Sequence, residues 1–224
     1  MSEIVIVNVS DDLADAEAAT VIIALQAADD GLLRPAWGFD KCVYSFMPRG
    51  QRPQTNDPRW AITLEHSSTD PGIGGYHDDQ AGRVYGRCFV GDCLRYGVSW
   101  TVDVSHEAFE MRGNPDVDAT VTLADGRIAA HELCDPTEDD SLAIDVGGIK
   151  ISDFVLPAYF TGGAKPWDYQ RRLAGPCPTL ATGGYQSLYV NSEWTQVTAR
   201  KLGGPHSYRS LRFDSRHRMP RFRP

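Results

Sequence analysis

The sequence lacks the features of exported, disulfide-bonded and membrane-spanning proteins. Its five cysteines form no CxxC pair, and an odd number without that spacing indicates neither a zinc ribbon nor a complete disulfide framework. No apolar run approaches the roughly 18 residues of a membrane span, and no basic segment precedes an apolar one near the start. We therefore expect reduced thiols, no signal peptide, no membrane association and a cytoplasmic location.

Motifs of several enzyme classes are also missing. No GxGxxG follows a predicted strand, and no GxSxG marks the nucleophile of a serine hydrolase. The segment "GIGG" at residues 72–75 has neither the lysine nor the helix that a phosphate-binding loop requires. Dinucleotide-dependent, P-loop and serine-hydrolase functions are therefore not indicated.

Charge is abundant but unevenly distributed along the chain. The 224 residues carry a net charge of -8, and residues 200–224, the basic arm, hold eight basic side chains and one acid. The arm therefore carries +7 and the rest of the chain -15. Arginines alternating with aromatic residues and proline are typical of an interaction tail. The arginines in its last 16 residues are Arg209, Arg212, Arg216, Arg218, Arg221 and Arg223.

Several partners suit such an arm. We expect it to bind protein subunits of a larger assembly, with the phosphates of nucleic acid as a less favoured partner. Phe213 and Phe222 could stack on bases in that second case. Docking on the protein's own acidic body and a disordered, solubilising tail are the remaining interpretations.

The first 112 residues predict an α/β lobe. "EIVIVNVS" predicts a strand, and apolar residues at helical spacing predict a helix from Asp11 to Gly31. "GFDKCVYSF", "RWAITLEHS" and "RVYGRCFV" predict further strands, with a glycine-rich loop, "DPGIGGYHDDQAG", before the last of them. Residues 98–112 predict a helix because alternation fails after Ser105, although "VSWTVDV" also fits a strand.

Residues 113–199 predict a lobe rich in strands and turns. "ATVTLADGRIAAHEL" and "LAIDVGGIKISDFVL" each predict a hairpin, and "GYQSLYVNSEWTQVTAR" predicts a last pair of strands. The chain thus divides into an α/β lobe at 1–112, a β-rich lobe at 113–199 and the basic arm at 200–224.

The stretch "DVSHEAFEMRGNP" carries the strongest chemical signal. On a helix its residues separate into a polar and an apolar face. The polar face is formed by Asp103, His106, Glu107 and Glu110. The apolar face is formed by Trp100, Val104, Ala108 and Met111. A polar face of this kind is either a set of metal ligands or a solvated surface, and Gly113 and Pro115 end the helix.

"SHEAFEM" resembles the active helix of the zincin metallopeptidases, in which His-Glu-x-x-His supplies two zinc ligands and a general base. The predicted order of elements is similar as well: strand, helix, two strands, an edge strand and the motif helix. The segments "RPAWGFD", "GYHDD", "HELCDPTEDD" and "ISDFVLPAYF" also resemble uncharacterised bacterial and phage proteins with a "SHELLEM"-like signature. The resemblance implies an α+β fold, with a zincin-like N-terminal lobe of a mixed sheet and two helices, an irregular β-rich C-terminal lobe and a basic tail.

The resemblance also implies roles for individual residues. His106 and Glu110 would be metal ligands and Glu107 the catalytic base. Glu110 stands where zincins have a second histidine, which zinc tolerates because it also accepts carboxylate oxygen. Glu132 is favoured as the third ligand, with His131 and then His77 as alternatives. Two carboxylates make the site harder, so manganese or calcium competes with zinc as the ion, and an inactive site without an ion is the other alternative.

A second acidic cluster, "CDPTEDD", follows the first predicted hairpin. Asp135, Glu138 and Asp140 could ligate a second cation such as calcium, although their spacing is not that of an EF-hand. A solvated turn, or a docking surface for a basic arm, is the interpretation that we prefer. Cys134 is either a soft metal ligand or a small buried residue.

Two functional hypotheses follow from these patterns. The first is a zincin-like metal-binding domain that acts as a metal-dependent peptidase or other hydrolase. The second is a non-catalytic phage virion or tail component, located in the virion, that uses the same scaffold and docks through the basic arm. Glu110 weakens the first hypothesis, and the arginines of the arm favour the second.

Overall fold

The computed structural model describes residues 1–69 and 74–199. The predictions for the basic arm, including those for its six clustered arginines, lie outside the described residues, as do the first four residues, 70–73, of the predicted glycine-rich loop. The described chain is an α+β fold with one mixed sheet, as the sequence predicts.

The central sheet has five strands in the order β2-β1-β3-β5-β4. The strands are β1 (Ser2–Asn8), β2 (Cys42–Met47), β3 (Trp60–Glu65), β4 (Gly75–Gln80) and β5 (Arg83–Phe89). The first three and β5 run parallel to their neighbours, while β4 pairs antiparallel with β5 at the edge. The middle of β1 is buried, in agreement with its near-continuous run of valine and isoleucine.

The first helical region differs from the prediction at both ends. It comprises α1 (Asp15–Ala18), α2 (Thr20–Ala28), a π-helical turn (Asp29–Leu33) and α3 (Arg34–Trp37). It begins at Asp15 rather than Asp11, because Asn8 holds the preceding turn through bonds to Leu13 and Asp15. It continues through Gly31 and ends at Gly38, whose φ of 70° supplies the left-handed cap.

The prediction of a loop throughout "GYHDDQAG" is wrong. Gly75–Gln80 is the edge strand β4, and a turn at Ala81 and Gly82, both with positive φ, joins it to β5. The strand has a polar composition, yet Gly75 and His77 are buried while Tyr76 and Asp78 are partly exposed. The alternation places His77 on the face that packs against the motif helix.

Two helices follow β5. The short helix α4 (Val90–Tyr96) was not predicted. The motif helix, α5 (Trp100–Gly113), is present, beginning two residues later and ending one residue later than the predicted helix at 98–112. All residues of α5 from Trp100 to Arg112 are buried, including every member of its polar face. The polar face of α5 is therefore an interior surface and not a solvated one.

After α5 the described chain, to residue 199, consists mainly of short strands and turns, as predicted. A four-stranded antiparallel sheet has the order β11-β10-β7-β6. Its strands are β6 (Thr120–Thr122), β7 (Ile128–Ala130), β10 (Tyr185–Val190) and β11 (Glu193–Thr198). The predicted hairpins are present, the second as β8 (Ile144–Val146) and β9 (Ile149–Ile151), and α6 spans Pro157–Thr161.

One hydrophobic core surrounds α5. Phe109 of α5 packs edge-on against Phe154 with ring centroids 5.8 Å apart, and the same buried cluster includes Ile4 and Ile62 of the mixed sheet. Arg112 donates to Asp29, fixing α5 to the first helical region. No helix of the described ranges has the length and apolar character needed to cross a bilayer.

Candidate metal centre

His106 and Glu110 stand one turn apart on α5 and meet in the protein interior. His106 Nε2 lies 3.0 Å from Glu110 Oε1. The spacing of four residues places both side chains on the same face of the helix. Their backbone positions are fixed near the helix end, where Asn114 N donates to the carbonyl oxygen of Glu110 over 2.7 Å. The two motif residues are thus held as a pair.

The segment after β7 adds a carboxylate and a thiol to this pair. Asp135 Oδ1 lies 3.2 Å from His106 Nε2. The backbone N–H of Cys134 donates to Glu110 Oε1 over 3.4 Å, and ligand atoms of His106, Glu110 and Cys134 all lie within 4.8 Å of one another. Asp135 was predicted only as part of a second cation site, whereas the structure places it against the motif histidine.

His77 approaches the same carboxylates from the edge strand β4. Its Nδ1 lies 3.4 Å from Glu107 Oε2 and 3.7 Å from Glu110 Oε2. Its Nε2 lies 2.9 Å from the carbonyl oxygen of Asn114, so Nε2–H is the donor of that hydrogen bond. A backbone carbonyl that fixes the tautomer in this way is the usual support of a metal-binding imidazole.

Glu132 completes the set of buried carboxylates. Its Oε1 accepts a hydrogen bond of 2.8 Å from Asn114 Nδ2, and its Oε2 has no hydrogen-bond partner among the residues that the structure describes. Asn114 therefore binds Glu132 through its side chain and His77 through its backbone. We define the metal centre as His77, His106, Glu107, Glu110, Glu132 and Asp135, all of which are between 1% and 7% exposed.

Two glycines allow the elements to approach one another closely. A Cβ at Gly75 would lie 3.0 Å from Glu107 Oε1 and 2.9 Å from the carbonyl oxygen of Arg87. A Cβ at Gly113 would lie 2.7 Å from Leu133 Cδ1. The first glycine brings β4 and His77 onto α5, and the second brings the segment that contains Glu132 onto the end of α5.

Burial and mutual charge shift the pKa values within the metal centre. Burial, followed by the charge of Asp135, raises the pKa of Glu110 to about 8. Burial, followed by the charge of Glu110, raises the pKa of Glu132 well above its usual range. Carboxylates that keep their protons near neutral pH indicate an excess of negative charge in a region of low dielectric constant.

The pKa values of His77 and His106 are raised as well. Burial favours their neutral forms, but the neighbouring carboxylates outweigh burial and raise the pKa of both. The opposing acids are Glu107 and Glu132 for His77, and Glu110 and Asp135 for His106. Each imidazole therefore serves as the positive partner of these acids when no other cation is bound.

The other predicted ligands, His131, Glu138 and Asp140, are not members of the metal centre as defined above. His131 Nδ1 lies 3.2 Å from the carbonyl oxygen of Gly113, and its ring meets Trp37 edge-on, because neighbouring residues after a strand point to opposite sides. Asp140 accepts a hydrogen bond from Ser99 N over 2.7 Å, at the start of α5. Glu138 is buried directly after the 3₁₀ turn Asp135–Thr137.

The donor set fits a divalent cation. Two imidazole nitrogens and four carboxylates combine the ligands that zinc, manganese and iron accept in proteins. The orphaned Oε2 of Glu132 and the cluster of buried carboxylates both gain a partner when a cation binds. The sequence singles out His106, Glu107, Glu110 and Glu132, with His77 as an alternative ligand. The contact of Asp135 with His106 depends on the path of the chain after β7.

Comparison of the chain with protein-family models, with curated proteins and with solved structures gave no match.

Proposed function

We propose that this protein is a divalent-metal protein built on a zincin-like scaffold, with hydrolysis of a peptide or related bond as the reaction of its metal centre. The observation that carries the proposal is the convergence of two histidines and four carboxylates, each less than a tenth exposed, at the middle of the fold. Ionised groups are rarely buried together at this density without a metal ion or a charged partner.

The arrangement of elements supports the zincin-like part of the proposal. A strand, a helical region, two parallel strands, the antiparallel edge strand β4 and β5 precede the motif helix α5. The resemblance of "SHEAFEM" to the zincin motif implies a strand, a helix, two strands, an edge strand and then the motif helix. The strand β5 and the short helix α4 are additional elements between the edge strand and α5. Both His106 and Glu110 point into the space between α5 and the segment after β7.

In the proposed reaction the metal ion and the side chains of the centre have different roles. A bound divalent cation supplies Lewis acidity and lowers the pKa of water. His106, Glu110 and Asp135 would hold that ion. Glu107 lies beside them on α5 and contacts His77 over 3.4 Å, so its carboxylate can take up a proton and return it. The burial of the centre keeps bulk water away from these groups.

His106→Ala tests the proposal. Protein purified without chelator should contain near-stoichiometric divalent metal, and the variant should lose the ion bound by His106. His66→Ala is the matched control, because His66 is an exposed histidine outside the metal centre. Full metal occupancy in His106→Ala would exclude His106 as a ligand.

Docking through the basic arm remains a second proposal, based on a body of charge -15 and an arm of charge +7. Under this proposal the protein is a phage virion or tail component that binds neighbouring subunits. Deletion of residues 205–224 should leave the body folded and abolish incorporation into the particle. Unchanged assembly would remove the basis of this second proposal.

A further inference from the structure

We infer that the metal centre binds two divalent ions, with the carboxylate of Glu110 bridging them. Ion one would be held by His106, Glu110 and Asp135, and ion two by His77, Glu107 and Glu110, with Glu132 beside it. This inference rests on the proposed metal-binding function and extends it to a second ion that neither the motif nor the zincin resemblance implies.

The orientation of Glu110 is the first observation behind this inference. Its Oε1 faces His106 Nε2 at 3.0 Å, whereas its Oε2 faces His77 Nδ1 at 3.7 Å. One carboxylate thus presents a separate oxygen to each of two imidazole nitrogens. This is the arrangement of a carboxylate that bridges two metal ions, which in such centres lie roughly 3.5–4 Å apart.

The tautomer of His77 is the second observation. Because Nε2–H donates to the carbonyl oxygen of Asn114, the lone pair of neutral His77 lies on Nδ1. That lone pair faces the oxygens of Glu107 and Glu110 at 3.4 and 3.7 Å. A divalent cation among the three groups would accept this lone pair and replace the proton through which a charged His77 pairs with these carboxylates.

Charge balance gives the third argument. The four carboxylates of the centre carry a charge of -4 when ionised, and a single divalent ion compensates half of it. Two divalent ions compensate the whole, and both histidines then serve as neutral ligands. Glu132 Oε2, which has no hydrogen-bond partner within the described ranges, is the oxygen that a second cation would satisfy.

The candidate ligands form two groups that share Glu110. Ligand atoms of His77, Glu107 and Glu110 lie within 4.8 Å of one another, as do those of His106, Glu110 and Cys134. Asp135 Oδ1 lies 3.2 Å from His106 Nε2 in the second group. Two imidazoles and four carboxylates are also the ligand inventory of carboxylate centres with two iron or two manganese ions. The inferred pair is therefore two first-row divalent ions, such as manganese, iron or zinc.

A second ion changes the role of Glu107. In a one-ion hydrolase Glu107 is the base and does not bind the metal, so Glu107→Gln would leave metal content unchanged. In the two-ion centre Glu107 Oε2 is a ligand, so Glu107→Gln would lower metal content from two ions to one. The two interpretations thus differ in metal content and not only in activity.

Manganese loading of the full-length protein tests the inference. Chelator-treated protein is titrated with Mn²⁺, and bound ions per chain are counted for wild type, His77→Ala and His66→Ala. We expect two, one and two ions. One ion in wild type that His77→Ala retains would overturn the second ion and leave the proposed function standing. No bound ion in wild type would overturn both.

Electron paramagnetic resonance of the loaded wild type provides a readout that needs no variant. Two Mn²⁺ ions bridged by Glu110 should give the spectrum of an exchange-coupled pair. The six-line spectrum of isolated Mn²⁺ at full loading would contradict a bridged centre. This readout remains decisive if His77→Ala fails to fold.

Discussion

His106 Nε2 lies 3.0 Å from Glu110 Oε1, one turn further along α5, and neither residue is more than 4% exposed. An imidazole and a carboxylate buried in contact form either an internal ion pair or two ligands of one metal ion. Asp135 approaches the same imidazole nitrogen at 3.2 Å, which gives this site more negative than positive charge. A metal centre and an internal ion pair differ in their response to divalent ions.

Divalent metal should stabilise the folded protein. Because the metal centre exists only in the folded state, an ion at a concentration 100 times its dissociation constant adds about 2.7 kcal/mol per independent site. We expect Mn²⁺ or Zn²⁺ to raise the midpoint of thermal unfolding of chelator-treated protein by several degrees. Mg²⁺ is the control, since it prefers oxygen ligands and retained water to imidazole. Equal midpoints with and without Mn²⁺ or Zn²⁺ would argue for an internal ion pair.

Glu110→Gln should act in opposite directions on the metal-free and metal-loaded forms. Without metal, burial raises the pKa of Glu110 to about 8, so folding at neutral pH carries the cost of protonating it. Gln carries no such cost, and we expect the free energy of unfolding to increase by about 1 kcal/mol or more. With metal, the variant should lose most of the stabilisation that wild type gains. Unfolding in denaturant, with and without Mn²⁺, measures both effects. Glu17→Gln is the control, because Glu17 is exposed on α1.

Gly75→Ala should weaken the contact between β4 and α5. The added methyl group would lie 2.9 Å from the carbonyl oxygen of Arg87 and 3.0 Å from Glu107 Oε1, so the strand or the glutamate must move. We expect a loss of about 1–3 kcal/mol in the free energy of unfolding and weaker Mn²⁺ binding. Gly31→Ala is the control, since nothing lies within 4 Å of its Cβ position. Wild-type values for Gly75→Ala would show that the close approach is unimportant.

Asp153 should make the folded state less stable as pH rises. Burial, followed by the charge of Asp168, raises the pKa of Asp153 from an ordinary 3.8 to about 9. Its contribution is fully present below pH 4 and is lost as pH rises towards 9, by at most about 1.4 kcal/mol per pH unit. Asp153→Asn should flatten the dependence of unfolding free energy on pH between 4 and 9.

Asp116→Asn provides the comparison for this pH effect. Asp116 is exposed, so its replacement should leave the pH profile of wild type unchanged. The same pH slope in wild type and Asp153→Asn would contradict a protonated Asp153 in the folded protein.

Local patterns predict much of the fold because their signals are contained within single elements. The strand β1, the motif helix α5 and the hairpins at Asp125 and Gly147 follow from periodicity and turn residues. The edge strand β4 was not predicted because Gly75, Asp78 and Asp79 are residue types that are depleted in strands. The continuation of the first helical region through Gly31 depends on the π-helical turn Asp29–Leu33, which packing and not local propensity supports.

The metal centre is predictable only in part, for a similar reason. His106 and Glu110 are neighbours on one helix, so their spacing indicates a shared site. His77 and Asp135 each lie 29 residues from His106 in the sequence, and they reach the site through the edge pairing of β4 and the turn after β7. A local sequence pattern cannot predict contacts between residues so far apart in the chain. The alternation in "GYHDD" nevertheless places His77 on the buried side of a strand.

The central claim is that Glu110 is a metal ligand in the folded protein. Its most direct test is the metal content per chain of native protein, purified without chelator, beside that of Glu110→Ala. We predict stoichiometric divalent metal in the native protein, up to two ions, and its loss from the variant. Absence of metal from both proteins, or equal metal in both, would contradict the claim.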